Sequence, residues 1–380
     1  MPSEKLLQRL DIKTLAVFRA LQLGDMLCCV PALRALRAAL PEAKISLVGL
    51  PWAQQFAERF PMYIDDFVPF PGHPLLPEQA VQQERLSGFY AAMQARQFTL
   101  ALQMHGSGQV SNAVTGAFGA QAVAGFGIAG TAGLDERSFL PYPEHGAEPV
   151  RLLALAEFLG APAVGTHLEF PLTERDHQEL SDSGLDKGLI AGGYICIHPG
   201  ARIRDKCWAP QRFAEVADRL AFEFGLTVVL TGSAKEADLT AEVARHMRTP
   251  ALDAAAPISI GAMAALMSRA RLLVCNDTGV SHIAAGLKLR SVVIFSKADI
   301  RRWAPLDQHT HRCIWDPEGE RVYGVLEHAR ALLEASPATE VVAKGGRFLI
   351  NHIAPAGSRQ GGHHRPGMMD AHRRESKFDP

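Results

Sequence analysis

The amino-acid sequence predicts an α/β protein with two doubly wound parallel sheets. Its length of 380 residues exceeds what one ordinary hydrophobic core requires, so two domains are expected. Short apolar runs with strand character alternate along the chain with segments whose apolar residues recur at helical spacing. Several of these runs end in small polar residues that lead directly into a helical segment. This repeated strand–loop–helix pattern is typical of parallel sheets covered by helices.

Composition and charge restrict the class of protein. Hydrophobic residues make up 47% of the chain and charged residues 21%, as in soluble globular proteins. The formal net charge of -1 gives no overall attraction to nucleic acid, and no nucleic-acid partner is expected. No stretch is apolar over the length that spans a bilayer, and residues 1–13 lack an apolar secretory core. We therefore expect a cytoplasmic protein.

No metal site is expected from the sequence. The six cysteines are scattered without C-x-x-C spacing, so buried reduced thiols are the expected state. The chain contains no D-x-D triplet that could hold a divalent ion. Asp65 and Asp66 are adjacent and are interpreted as an exposed loop pair.

The first βαβ unit places an aspartate at its strand-to-helix turn. Residues 14–19 have strand character, residues 26–40 are predicted to form a helix, and residues 45–49 form the next strand. Gly24 and Asp25 occupy the turn between the first two elements. Asp25 is either the N-cap of the helix or a carboxylate at the ligand edge of the sheet, suited to general-base work. Position alone favours the cap.

A second polar loop follows the strand predicted at residues 98–103. The loop contains His105 and Ser107, and a helix is predicted to begin at residue 109. His105 is either a ligand contact or a loop histidine that packs against the sheet. Residues 125–130 match the dinucleotide pattern G-x-G-x-x-G, but no helical segment follows them, so we reject a dinucleotide site there.

In the second half, a cationic loop follows the strand predicted at residues 194–197. Gly200, Arg202, Arg204 and Lys206 lie in this loop, and a helix is predicted to begin after it. Cations and exposed backbone N–H groups near a strand end predict a diphosphate site, whereas the alternative is a solvated charged loop. Glu236, in the first turn of the next helix, either complements the helix dipole or accepts hydrogen bonds from a ribose.

A third polar loop, residues 276–279, separates the strand predicted at 272–275 from a helical run. The N-terminus of a helix offers free N–H groups and a partial positive charge to an anion. The loop is therefore predicted to hold an anionic ligand. The alternative is that Thr278 or Ser281 only caps the helix.

Taken together and in this order, four motifs resemble glycosyltransferase family 9, the ADP-heptose:lipopolysaccharide heptosyltransferases. The motifs are Gly24-Asp25 with Pro31-Ala32-Leu33, the segment from Gln103 to Gly108, His198-Pro199-Gly200-Ala201 with Lys206 and Trp208, and Asn276-Asp277-Thr278-Gly279 with His282. The resemblance extends over about residues 13–335. Arg202 and Arg204 depart from the more hydroxyl-rich loop of the family.

The resemblance implies a GT-B fold, with two Rossmann-like domains that face each other across a cleft. Residues 1–175 would form the acceptor domain and residues 176–345 the nucleotide-sugar domain. Residues 346–380 are expected to be a disordered tail, because residues 354–380 are rich in Gly, Pro, Arg and His. The implied reaction is metal-independent inverting transfer of heptose from ADP-heptose to a lipopolysaccharide-type or other surface glycan. The implied enzyme uses no cofactor and contacts the inner face of the bacterial inner membrane peripherally.

The resemblance also implies roles for individual residues. Asp25 would be the catalytic base. Contacts to the nucleotide sugar would come from Gly200, Lys206, Glu236, Asp277, Thr278, Gly279 and His282, and acceptor-side contacts from Gly24, His105 and Ser107. Two alternatives remain open: a nucleotide-sugar epimerase or hydrolase on the same fold, and a non-catalytic sugar-nucleotide-binding protein.

Overall fold

The computed structural model describes residues 4–131 and 134–335. These residues form two six-stranded parallel sheets flanked by helices. The first sheet contains β1 (Thr14–Phe18), β2 (Lys44–Gly49), β3 (Asp66–Pro69), β4 (Leu100–Gln103), β5 (Ala122–Gly127) and β6 (Phe139–Pro141). The second contains β7 (Tyr194–His198), β8 (Thr227–Leu230), β9 (Ala251–Asp253), β10 (Leu272–Asn276), β11 (Ser291–Phe295) and β12 (His311–Trp315).

The helices cover both faces of each sheet. Those of the first half are α1 (Leu6–Arg9), α2 (Leu23–Leu27), α3 (Val30–Ala39), α4 (Gln54–Arg59), α5 (Gln83–Ala95), α6 (Ser111–Gly116) and α7 (Glu148–Leu159). Those of the second half are α8 (Glu174–Ser183), α9 (Pro210–Phe224), α10 (Ala237–His246), α11 (Ile260–Ser268), α12 (Gly279–Leu287), α13 (Ile300–Trp303) and α14 (Val322–Glu334). No helix among the described residues is long and apolar enough to cross a membrane.

Both sheets have the same strand order. The first is β3-β2-β1-β4-β5-β6 and the second, in the corresponding direction, is β9-β8-β7-β10-β11-β12. The order therefore reverses between β1 and β4, which pair in parallel, and again between β7 and β10. In open α/β sheets ligands bind beyond the carboxyl ends of the strands at such a reversal. The predicted fold class is confirmed, and each sheet has one expected ligand edge.

One hydrophobic cluster connects the two halves. Every residue of β7, β10 and β11 is buried, which explains why these strands are nearly continuous apolar runs. Helices α3 and α7 of the first half and α11 and α12 of the second contribute to a single buried apolar cluster. A second cluster covers the outer face of the second sheet, and a third covers the outer face of the first sheet. Each ligand edge is thus fixed to a rigid core.

The structure departs from the sequence prediction in a few elements. The helix predicted at 26–40 is two helices, α2 and α3, because Pro31 lacks an N–H group and occupies the first turn of a new helix. The edge strands β6, β9 and β12 were not predicted. Helix α8 packs against α11 of the second half, whereas α7 packs against α3 of the first. The predicted domain boundary after residue 175 stays a prediction, and the predicted tail at 346–380 lies outside the described residues.

Gly261 in α11 lies where a side chain has no room. A Cβ there would overlap the buried ion pair between Asp176 and Arg59, whose Nη1–Oδ2 distance is 2.6 Å. We expect Gly261→Ala to lower the free energy of unfolding by about 1–3 kcal/mol, because overpacking forces this pair to move. Gly88→Ala in α5 is the matched control, since its Cβ would meet no described atom within 4 Å. Because alanine has a higher helix propensity than glycine, Gly88→Ala should raise the free energy of unfolding, measured in urea, by about 0.5–1 kcal/mol. If Gly261→Ala and Gly88→Ala changed the free energy of unfolding equally, the steric explanation would be refuted.

Candidate active site at the facing strand ends

The ligand edges of the two sheets meet around one cavity of about 250 Å³. Helix α2, which follows β1, and helix α12, which follows β10, both contribute residues to its wall. Its lining residues are Gln22, Gly24, Asp25, Ala201, Arg202, Ile203, Lys206, Asp277, Thr278, Gly279, His282 and Trp303. Seven of the residues predicted to be functional are in this set, although they come from three separate motifs.

Asp25 lies in the first turn of α2, with its side chain at the cavity. Gln22 is the N-cap residue of this helix, so the interpretation of Asp25 as the N-cap is wrong. Burial raises the pKa of the Asp25 carboxyl group, although Arg19 and Arg302 act to lower it. Within the described part of the chain, the carboxylate is in no ion pair within 4.0 Å. A half-buried carboxylate with a raised pKa has the properties of a general base.

The first turns of α2 and α12 approach each other closely at two glycines. A Cβ on Gly24 would lie 2.9 Å from His282 Cδ2 and 3.4 Å from Gly279 Cα. Only glycine at position 24 allows this approach without displacement of the His282 ring. The two helix N-termini consequently lie side by side at the cavity.

The N-terminus of helix α12 lies at the cavity. Thr278 occupies the N-cap position, but its side chain caps none of the described backbone N–H groups. The hydroxyl of Ser281 donates instead to the carbonyl of Thr278, at 2.7 Å. The predicted alternative of simple capping is therefore wrong for both side chains. Thr278 and Gly279 at this end of the helix line the cavity, where the free N–H groups of a helix N-terminus can bind an anion.

Lys206 and Asp277 form an ion pair across the cavity wall. Lys206 Nζ lies 3.3 Å from Asp277 Oδ2. Burial raises the pKa of Asp277, and the neighbouring ammonium group opposes this shift. Asn276 has a structural role: its side chain accepts a hydrogen bond from Trp208 N at 2.9 Å and donates one to Pro199 O at 2.7 Å. It thereby fixes the cationic loop to β10.

A second cavity of about 400 Å³ lies on the other side of the α12 N-terminus. Its lining residues are Gln22, Leu23, Gly24, His198, Arg202, Gly232, Ser233, Glu236, Ile258, Ser259, Ile260, Met263, Thr278, Gly279 and Val280. Gln22, Gly24, Arg202, Thr278 and Gly279 line both cavities. The two cavities are therefore adjacent, and Ile258, Ile260 and Met263 form an apolar side of the larger one.

Glu236 is held in place at this second cavity. Its Oε2 accepts hydrogen bonds from the backbone N–H and hydroxyl of Ser233, at 2.8 and 2.7 Å. A Cβ on Gly200 would overlap its Oε1, so glycine is required for this arrangement. Burial raises the pKa of Glu236, but His198 and Ser233 outweigh burial and hold it below the usual value. Glu236 is thus a positioned, ionised hydrogen-bond acceptor.

His282 and His105 are both buried but differ in position. Burial, with a contribution from His311, lowers the pKa of His282 to about 4, so its ring at the cavity is neutral at pH 7. His105 stacks on Phe18 with ring centroids 5.3 Å apart, and its Nδ1 accepts a hydrogen bond from Ala20 N at 3.2 Å. These contacts favour the packing interpretation of His105. Neither His105 nor Ser107 lines the two cavities.

Sequence reasoning missed a buried charged cluster directly behind Asp25. It consists of Arg19, Arg151 and Arg302 around the carboxylate of Glu148. The one sign of this cluster in the sequence is Arg19, a charged residue that directly follows the apolar run of β1. Among the described residues there is no group of three or more His, Cys, Asp or Glu that could hold a metal ion.

Two doubly wound sheets whose ligand edges share a cavity define an α/β protein of the GT-B fold. The family model "Glycosyltransferase family 9 (heptosyltransferase)" matches residues 88–322, and the chain belongs to this family. The predicted family is confirmed.

Curated relatives and solved structures agree with this assignment. Lipopolysaccharide heptosyltransferase 3 of Escherichia coli K12 is 28% identical over 223 residues, which are 57% of this chain and 64% of the relative. Lipopolysaccharide heptosyltransferase 1 of Pseudomonas aeruginosa is 30% identical over 134 residues, 34% of this chain and 36% of the relative. Both alignments span less than two thirds of the relative's length.

The structural matches extend further and concern the fold. A family 9 glycosyltransferase from Veillonella parvula has a TM-score of 0.72 at 20% identity, over 86% of this chain and 99% of that one. ADP-heptose lps heptosyltransferase II of E. coli has a TM-score of 0.65 at 21% identity, over 85% of this chain and 99% of that one.

Proposed function

We propose that this protein is an inverting glycosyltransferase that moves heptose from ADP-heptose to a lipopolysaccharide-type or other surface glycan. One observation carries the proposal. Asp25 on the first half lines the same cavity as Lys206, Asp277 and the N-terminus of α12 on the second half. A base and an anion site that share a cavity are the two components that inverting transfer requires. Family membership and the lipopolysaccharide heptosyltransferase relatives favour heptose and this acceptor class.

The two adjacent cavities suit the two parts of a nucleotide sugar. In the larger cavity, Ile258, Ile260 and Met263 would pack against the base, and Glu236 would accept hydrogen bonds from the ribose hydroxyls. Thr278 and Gly279 line both cavities, which is where the diphosphate would bind the N-terminus of α12. The sugar would then occupy the smaller cavity, beside His282 and in front of Asp25.

The proposed reaction needs a nucleophile and a stabilised leaving group. Asp25 would take the proton from an acceptor hydroxyl while the oxygen of that hydroxyl forms a bond to the anomeric carbon from the side opposite the diphosphate. The bond from that carbon to the diphosphate oxygen breaks, and ADP leaves with the electron pair. Lys206 and the N–H groups of α12 would stabilise the negative charge that develops on ADP. In this scheme, no step requires a metal ion or a cofactor.

The acceptor would approach from the first half. His105 and Ser107 follow β4, next to β1 at the strand reversal, and Gly24 lies at the cavity. We propose that this edge receives a glycan or glycolipid. An acceptor of that kind implies a cytoplasmic enzyme that contacts the inner face of the inner membrane peripherally.

A ligand screen followed by a transfer assay tests this function. We expect ADP and ADP-sugars to raise the Tm in a thermal-shift screen, and UDP- and GDP-sugars to raise it less, because only a ligand of the native state stabilises it. ADP should then be released only when an acceptor is present. Sugar released or epimerised without an acceptor would instead indicate the hydrolase or epimerase. Binding without turnover over a panel of acceptors would indicate a non-catalytic binding protein.

A further inference from the structure

The buried cluster behind Asp25 connects the base to both halves of the protein. Glu148, the first residue of α7, is 5% exposed, and Arg19, which follows β1, is 0% exposed. A carboxylate and a guanidinium this deeply buried are costly unless they are paired. Their contacts therefore show which parts of the structure the pair holds together.

Arg19 fixes the carboxyl ends of the two strands at the strand reversal. Its Nε donates to the backbone carbonyl of Asp25 at 3.0 Å, and its Nη1 donates to the carbonyl of Met104. Its Nη2 donates to Glu148 Oε1 at 3.2 Å. Arg19 thus determines where the turn that carries Asp25 lies, and Glu148 determines where Arg19 lies.

The other oxygen of Glu148 binds the second half. Arg302 of α13 donates from Nε to Glu148 Oε2 at 3.0 Å, and from Nη2 to the Tyr142 hydroxyl at 3.0 Å. The next residue, Trp303, lines the cavity, with its ring centroid 6.4 Å from that of His282. One carboxylate therefore holds both the Asp25 turn and the segment that closes the cavity from the other side.

We propose that Glu148 is a positioning residue that couples the docking of α13 to the placement of the Asp25 carboxylate. This inference rests on the proposed function, in which Asp25 is the base. Glu148 does not line the cavity, so its effect on the reaction passes through Arg19 and Arg302. Because both of its oxygens are in use, separation of α13 from α7 would leave part of the cluster unpaired and loosen the turn that carries Asp25.

The charges of the cluster give the proposal a distinctive signature. The charged or titratable groups that face Asp25 are Arg19 at the end of β1, Glu148 on α7, Arg302 on α13, and the thiols of Cys28 and Cys29 after α2. Among the charged groups, Glu148 raises the pKa of Asp25 and the two arginines lower it. Loss of the Glu148 charge should therefore lower the pKa of Asp25, whereas loss of the Arg302 charge should raise it.

Glu148→Gln and Arg302→Gln test this signature by shifts of opposite sign. Transfer needs ionised Asp25, so kcat rises with pH through the pKa of that group. We expect Glu148→Gln to move this rise to lower pH and Arg302→Gln to move it to higher pH. Both should reduce the plateau kcat by about 10- to 100-fold through misplacement of the base, with the KM for the donor changed less than about threefold.

Asp176→Asn is the matched control. It removes the carboxylate from another buried ion pair, with Arg59, that is not part of the cavity. It should lower stability without a change in the plateau kcat or in the pH of the rise. If the cluster acts only on stability, Glu148→Gln and Arg302→Gln should both behave like Asp176→Asn, which would overturn the proposal. Shifts of the same sign in Glu148→Gln and Arg302→Gln would overturn it too.

A second measurement does not depend on catalysis. A raised carboxyl pKa in the folded state gives stability that is present at low pH and lost as pH rises through the folded value. Relative to its Asp25→Asn variant, the wild type should therefore lose stability as pH increases above about 4. In the Glu148→Gln background this loss should be smaller and should occur at lower pH. An equal loss in both backgrounds would refute the coupling, whereas absence of transfer with the coupling intact would refute only the proposed function.

Discussion

Replacement of Asp25 by asparagine is expected to lower the rate of sugar transfer by about 10²–10⁴-fold, the usual contribution of a positioned general base. Asparagine has nearly the same shape as aspartate, but it cannot take a proton from the acceptor hydroxyl. The backbone carbonyl of residue 25 should still accept the hydrogen bond from Arg19. The fold and the affinity for ADP should therefore persist. Thermal unfolding checks the fold and calorimetry checks the affinity for ADP, and both are measured together with kcat.

Glu84→Gln is a matched control for this substitution. Glu84 is also an acidic residue in the first turn of a helix, α5, but it is exposed and outside both cavities. The Glu84→Gln variant should transfer sugar at the wild-type rate. If Asp25→Asn does the same, Asp25 is not the base. If Asp25→Asn loses ADP binding together with transfer, the residue contributes to the donor site instead.

The central strands could be predicted from the sequence because the pattern that identifies each of them is local. β7 and β10 are buried on both faces, so each is a short apolar run that ends abruptly at polar residues. The edge strands β6 and β9 have three residues each, too few to show a period. They exist because a neighbouring strand is there to pair with, which is a property of the tertiary structure.

The two sides of the candidate site were predictable to different degrees. Gly279 and Lys206 lie in loops whose composition already indicates an anion site. The pairing of Arg19 with Glu148 spans 129 positions in the sequence, and that of Arg302 with Glu148 spans 154. No periodicity or local motif reports such contacts. In the same way, only the structure shows that Gly24 is required by the ring of His282.

Removal of the ammonium group of Lys206 is expected to weaken ADP binding by about 10- to 100-fold, as for the loss of a hydrogen bond to a charged group. Lys206 Nζ lies 3.3 Å from Asp277 Oδ2, and this ion pair holds the ammonium group at the cavity. In Lys206→Ala the carboxylate of Asp277 loses this partner, and its pKa, already raised by burial, should rise further. A half-buried carboxylate without its cation would also repel the diphosphate, which adds to the loss of affinity.

Lys297→Ala separates this effect from a general loss of positive charge. Lys297 forms an ion pair of the same length, 3.3 Å to Asp205, but it lines neither cavity. It should bind ADP like the wild type at physiological salt, where exposed charges are screened. Adenosine gives the decisive comparison, because it lacks the diphosphate. If Lys206 binds the diphosphate, Lys206→Ala should weaken ADP strongly and adenosine hardly at all. Equal losses for the two ligands would mean that Lys206 shapes the nucleoside cavity and that the diphosphate binds elsewhere.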